Sequence, residues 1–183
     1  MHPAFLYLPG DRLTQPELCA ARLDGHVVEL GEAYIPADLV EGAALRAAAV
    51  AALILPGSAA SGPTAAWIHG AGDAPPTPHH ARRAVPQRIR PRPHRRLVFH
   101  DTPVPASDVT LLGGVAVTTP LRTMIDLALG QHRDPTLLPW ARSLAAARPG
   151  LAEEALHVLR SLTRVPGTRA GVAVLERLAV RTR

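Results

Sequence analysis

The sequence predicts an α+β fold: a short winged-helix-like element at the amino end, a small mixed β-sheet with helices, and a helical carboxyl third. Three observations carry this. A capped helix near the start is followed at once by two short extended runs. Several more extended runs gather between residues 82 and 117, broken by proline and glycine. Beyond residue 130 only helical periodicity remains. The expected units are a truncated winged-helix-like element over 1–42, an α+β core over 43–130 and a helical region over 131–183.

The first unit opens with Leu13-Thr14-Gln15-Pro16-Glu17-Leu18. Thr14 and Glu17 have the spacing of a capping box, and Leu13 with Leu18 that of a hydrophobic staple. A helix is therefore predicted over 15–23, with Gly25 ending it. Residues 26–30 and 32–36 read as two short strands around Gly31. Helix followed by ribbon is the tail of a winged helix, but only about a dozen residues precede the helix, too few for a complete three-helix unit.

Residues 43–55 are alanine-rich and helical by propensity, and Pro56-Gly57 stops them. Residues 58–62 read as a loop of small residues, and 64–70 as a short helix with Trp67 turned inward. Residues 73–78 form a proline-rich connection. Segments 82–90, 95–100, 109–112 and 115–117 have extended character, the last two around a Gly113-Gly114 turn. Thr119-Pro120 supplies a capping hydroxyl and a proline at the first helical position. Leu121, Met124, Ile125 and Ala128 then share one face, while Arg122 and Asp126, four apart, are placed to pair. Helices over 136–147, 151–163 and 168–180 follow, separated by Pro149-Gly150 and Pro166-Gly167. Leu151, Ala155, Val158, Leu159 and Leu162 form an apolar stripe on one, and Val172, Leu175 and Leu178 on another. Such stripes are core, with any exposed remainder suited to a partner protein.

The chain is 47% apolar but only 3% aromatic, so aliphatic side chains must fill the core, with Trp67 and Trp140 as anchors. A single cysteine, Cys19, excludes an internal disulfide framework and reads as a small buried residue. Neither a signal-peptide pattern nor a bilayer-length apolar run is present, so a cytoplasmic location is expected. All 20 basic residues are arginines, and lysine and asparagine are absent. A GC-rich genome accounts for that bias. The missing lysine excludes phosphate-loop nucleotidases, lysine-dependent nucleases and Schiff-base chemistry in their usual forms.

The net charge of +5 hides an asymmetry. Residues 1–42 hold seven acids and two arginines, whereas 43–119 and 120–183 each carry +5. The densest feature, residues 79–100, holds Arg82, Arg83, Arg88, Arg90, Arg92, Arg95 and Arg96, four histidines and no acid. On a strand, Arg88, Arg90 and Arg92 would share a face toward a phosphate backbone or an acidic protein surface. A solvated edge kept charged against aggregation is the plainer alternative.

Catalytic and metal patterns fail. His69, His79, His80, His94 and His100 lack helical ligand spacing and neighbouring carboxylates or thiolates, so no metal or cofactor is expected. His69 reads as a packing residue whose ring bonds to backbone. The serines of Gly57-Ser-Ala-Ala-Ser-Gly62 are misplaced for a nucleophile elbow. Asp101, Asp108 and Asp126 suit a metal nuclease only weakly, and Asp126 reads as the partner of Arg122.

Residues 112–129, LGGVAVTTPLRTMIDLAL, together with Thr64-Ala-Ala-Trp67-Ile-His69-Gly70, Ala20-Ala-Arg-Leu-Asp-Gly25 and Leu30-Gly-Glu-Ala-Tyr-Ile-Pro36, resemble the actinobacterial type of AbiEi antitoxin from AbiE toxin-antitoxin systems. The order of the blocks matches as well, so the resemblance covers roughly residues 12–130. It implies a non-enzymatic antitoxin that binds and neutralises a cognate nucleotidyltransferase toxin encoded beside it. It also implies an amino-terminal winged helix that binds promoter DNA for autoregulation. A toxin that handles nucleotides presents positive potential, so Glu17, Asp24, Glu29 and Glu32 are the expected toxin-binding residues. The arginine segment is the expected contact for nucleic acid or an acidic partner. The main alternative is a DNA-binding transcriptional regulator without a toxin; a divergent nuclease is a remote third.

Overall fold

The computed structural model describes residues 5–92, 94–162 and 165–181. It is α+β, as the sequence predicts. Helix α1 (Gln15–Leu23) has the expected bounds because its capping box forms: the Glu17 carboxylate accepts the Thr14 N–H at 2.7 Å, and the Thr14 hydroxyl accepts the Glu17 N–H at 3.4 Å. Leu18 is fully buried against Val27 and Tyr34, with Leu13 packed alongside. Strands β1 (Val27–Leu30) and β2 (Ala33–Pro36) form an antiparallel ribbon. Leu30, Ala33 and Ile35 of the ribbon join one apolar cluster with Leu45, Val50 and Trp67. Gly31 sits in the ribbon turn at φ +60°, where a Cβ would stand 3.2 Å from Val50 and 3.3 Å from the Trp67 ring.

Helix α2 (Ala43–Ala49) is shorter than predicted and passes into a single 3-10 turn, Ala51–Leu53. On it, Arg46 is a buried cation that pairs with Glu41, donates to the carbonyls of Trp67 (2.7 Å) and Gly72 (2.9 Å), and lies over the Trp67 ring. The stretch predicted as a small-residue loop instead contains β3 (Ser58–Ala60), which leads into α3 (Gly62–Ile68). Strands β4 (His79–Arg83), β5 (Leu97–His100), β6 (Val109–Leu112) and β7 (Val115–Thr118) complete a mixed sheet in the order β5-β4-β3-β7-β6. The strand with the least β-propensity is therefore the central one, and Ser58, Ala59 and Ala60 are all buried in it. Gly113 and Gly114, both at positive φ, join β6 to β7 as a two-residue hairpin turn.

The extended run predicted over 82–90 stops at Arg83, and the run predicted over 95–100 begins only at Leu97. The described residues between β4 and β5 form no strand; Pro86 and Pro91 lack the N–H that a ladder needs. Arg88, Arg90 and Arg92 therefore do not share a strand face.

Helices α4 (Pro120–Gly130), α5 (Leu137–Ala147), α6 (Leu151–Ser161) and α7 (Thr168–Arg181) follow. Thr119 caps α4 by accepting the Arg122 N–H at 3.2 Å. Met124, Leu127, Leu144, Leu159 and Leu175 form the second large cluster, and the half-buried Trp140 packs on both. Trp67 is fully buried. The predicted helix end at Thr163 lies outside the described residues. No helix among the described residues is long and apolar enough to cross a membrane.

Candidate interaction surfaces

The seven arginines of the basic segment separate into two groups. Arg82 and Arg83, on β4, are consumed by the fold. Arg82 pairs with Asp126 at 2.7 Å. Buried Arg83 pairs with Asp101 and donates to the carbonyls of Asp101 (2.9 Å), Val85 (3.1 Å) and Pro86 (2.5 Å), so it organises the chain leaving β4. Arg96 pairs with Glu32. Arg88 is exposed and lies 3.7 Å from Asp101. Arg90, Arg92 and Arg95 are exposed, and among the described residues no acid pairs with them.

The acidic set is also partly engaged. Glu17 closes the α1 capping box, and the Thr14 N–H and hydroxyl hold its carboxyl below the usual carboxylate range. Glu29 is exposed and 3.4 Å from Arg22. Glu32, in the ribbon turn, meets Arg96 and lies 3.7 Å from the Nε2 of buried His79. Asp24, just past the end of α1, is exposed. One acid and one arginine of the two opposite sets are thus partners of each other.

The charge of Asp101, Asp108 and Asp126 is spent on arginines. Asp126 holds Arg82 and, at 2.9 Å, Arg122, which also reaches Asp108 at 3.3 Å. Cys19 is half-buried beside Gln15 rather than buried in the core, because its place on α1 lies toward the helix's open side. Two separated sequence blocks meet in space: the ring Nε2–H of buried His69 donates to the Thr118 carbonyl at 2.7 Å, and the Thr118 and Thr123 hydroxyls bond at 2.7 Å. Burial holds His69 neutral, outweighing the Thr118 bond.

That junction ties α3 to the start of α4, inside the span that a family model recognises. The AbiEi antitoxin C-terminal domain model matches residues 58–179, from the first residue of β3 into α7. The chain belongs to the AbiEi antitoxin family. No curated protein matches it. The antitoxin domain so defined contains all seven arginines of the basic segment, while Glu17, Asp24, Glu29 and Glu32 lie outside it.

Within the antitoxin domain, sequence reasoning missed a cleft of about 370 Å³ between β4, β5 and the ends of α3 and α4, lined by His80, His100, Arg82, Asp126, Arg133 and Asp134 among others. His80 and His100 stack there, with Nδ1 of one 3.2 Å from Nε2 of the other. Burial first, then the neighbouring His100, pushes His80 down to about 4. Loss of hydration and then Arg82 lower His100 as well, although its edge is open to solvent. The pairing was hidden because the two residues lie on different strands, twenty positions apart.

Proposed function

We propose that this antitoxin neutralises a cognate nucleotidyltransferase-type toxin by direct binding in the cytoplasm, with no catalytic activity or cofactor of its own. The observation that carries this reading is the antitoxin-domain match across 58–179. The acidic amino-terminal unit supports the electrostatic part. Asp24 and Glu29 stand exposed on it and Glu17 extends the same negative field, which complements the positive potential of a protein that handles nucleotides, while Glu32 would reach a toxin only by giving up Arg96. Titrating the purified chain with the product of the adjacent reading frame tests the reading directly. Charge reversal at Glu17, Asp24, Glu29 and Glu32 should weaken that complex and flatten its salt dependence; unchanged affinity would remove the acidic surface from the account.

A second reading is a transcriptional regulator that binds DNA, and one observation favours it: Arg90, Arg92 and Arg95 are exposed and have no acidic partner among the described residues. Autoregulation of the operon would draw on the same side chains. It requires duplex affinity that falls steeply with salt and exceeds that for random sequence. Binding with neither property would leave the arginines without a promoter role.

A further inference from the structure

Helices α5 and α7 both pack against α4 but make few contacts with each other, and a groove of about 770 Å³ lies open between them. Its floor is Val174 and Leu178, both buried and both part of the carboxyl-terminal apolar cluster. Leu138 of α5 and Val180 of α7 form its sides, and Val180 is 76% exposed. The lining stretch of α7 runs from Ala173 to Val180, about two helical turns. The apolar core therefore reaches the surface here.

Three charged side chains border the groove, and one of them is spent. Glu176 is held by Arg160 of α6 at 2.6 Å. Arg142 on α5 and Arg177 on α7 are exposed, and no acid among the described residues pairs with either. Arg177 gives its Nε–H to the Ala173 carbonyl of its own helix, which leaves its charge uncompensated. The open charge beside the apolar floor is thus positive on both walls.

We propose that this groove docks an amphipathic helix of a partner protein whose apolar stripe is bordered by acidic residues. Both walls are helices, whose backbone groups bond within the helix, so they offer no edge for an extended segment to pair with. A helix arrives with its own backbone already satisfied, and its ridge of side chains seats in the groove between two others. The acids beside that ridge then meet Arg142 and Arg177. A nucleic acid would satisfy the arginines but not the apolar floor. A second copy presenting the same groove would set arginine against arginine. The docked helix is not the nucleotide-handling face of a toxin, whose positive potential these arginines would repel, so the groove and the toxin reading stand or fall separately.

The probe is an end-blocked, fluorescently labelled peptide of about fifteen residues, long enough to hold a helix, with leucine at helical spacing and glutamate at the flanking positions. On the full chain it is compared with the same peptide carrying lysine for glutamate and with a version broken by a central proline. The acidic peptide is expected to bind at least about tenfold tighter than the lysine peptide, the ratio that unlike and like charge beside Arg142 and Arg177 should produce. The proline version should lose binding by a similar factor. The double variant R142E/R177E, which removes no intramolecular ion pair among the described residues, should reverse the preference for acid. Ala173→Trp, at an exposed position in the groove, should block both peptides. No binding of the acidic peptide, equal binding of the lysine or the proline peptide, or binding untouched by Ala173→Trp each overturns the proposal. Self-association of the chain that Ala173→Trp abolishes, with the acidic peptide unbound, would assign the groove to a second copy instead.

Discussion

Glu32 and Arg96, 64 residues apart, form an ion pair that fastens the turn of the amino-terminal ribbon to the chain entering β5. His79, buried at the start of β4, stands on the other oxygen of the same carboxylate. Because Arg96 is more than half exposed, solvent screens the pair and its contribution is modest. Replacing either residue by glutamine should cost about 0.5–1 kcal/mol in urea unfolding, and the double variant no more than the larger single effect. Fully additive losses would mean that the two side chains act on separate partners.

Arg83 and the outer arginines should respond in opposite ways to the same substitution. Arg83→Ala leaves three carbonyls without their side-chain donor and Asp101 with only the exposed Arg88 nearby, and should lower stability by about 2–3 kcal/mol. Arg90→Ala, Arg92→Ala and Arg95→Ala should each stay within about 0.5 kcal/mol of the parent. Thermal unfolding of the four variants checks the division; an unaffected Arg83→Ala would show that the chain leaving β4 holds its shape without the clamp.

What the sequence revealed depended on how local each determinant was. Helix α1 follows from Thr14 and Glu17, the start of α4 from Thr119 and Pro120, and the β6–β7 hairpin from two adjacent glycines, so all three were legible, α1 with its full bounds. Strand β3 was not, because Ser58-Ala59-Ala60 has no strand propensity and is extended only through its neighbours on both sides. Charge was legible as composition but not as availability. The Arg122–Asp126 pair is local and was foreseen, whereas Arg82–Asp126 and Arg96–Glu32 join distant segments and withdraw members of both proposed binding sets.

The histidines set the acid limit of the fold. His80, pushed down to about 4, is neutral in the folded protein at pH values where it is protonated in the unfolded chain, and His69, His79 and His100 are displaced in the same direction. The unfolded state then binds more protons, so stability is full above about pH 6.5 and falls as the pH drops from there toward 4. For His80 the loss should reach about 2–3 kcal/mol. Unfolding of His80→Gln between pH 7 and 4 should show a shallower decline than the parent; parallel curves would assign the acid sensitivity to other groups.

Gly113 is fixed by both its dihedral and its surroundings. At φ +56°, with an added Cβ falling 2.2 Å from the Ala44 carbonyl oxygen, it cannot take a side chain without moving α2. Gly113→Ala should cost about 2–4 kcal/mol, while Gly114→Ala, with open space around it, should cost less. Denaturant midpoints of the two variants give the comparison, and equal losses would show that backbone conformation alone decides.

Neutralisation of a toxin is read most plainly in growth. The adjacent reading frame is expressed in a bacterial host with and without this chain, and growth is followed while the two products are purified together. Arrest by the neighbour alone, relief on co-expression and recovery of both proteins as one complex are expected. A neighbour that leaves growth unaffected, with nothing retained on the antitoxin, would contradict neutralisation.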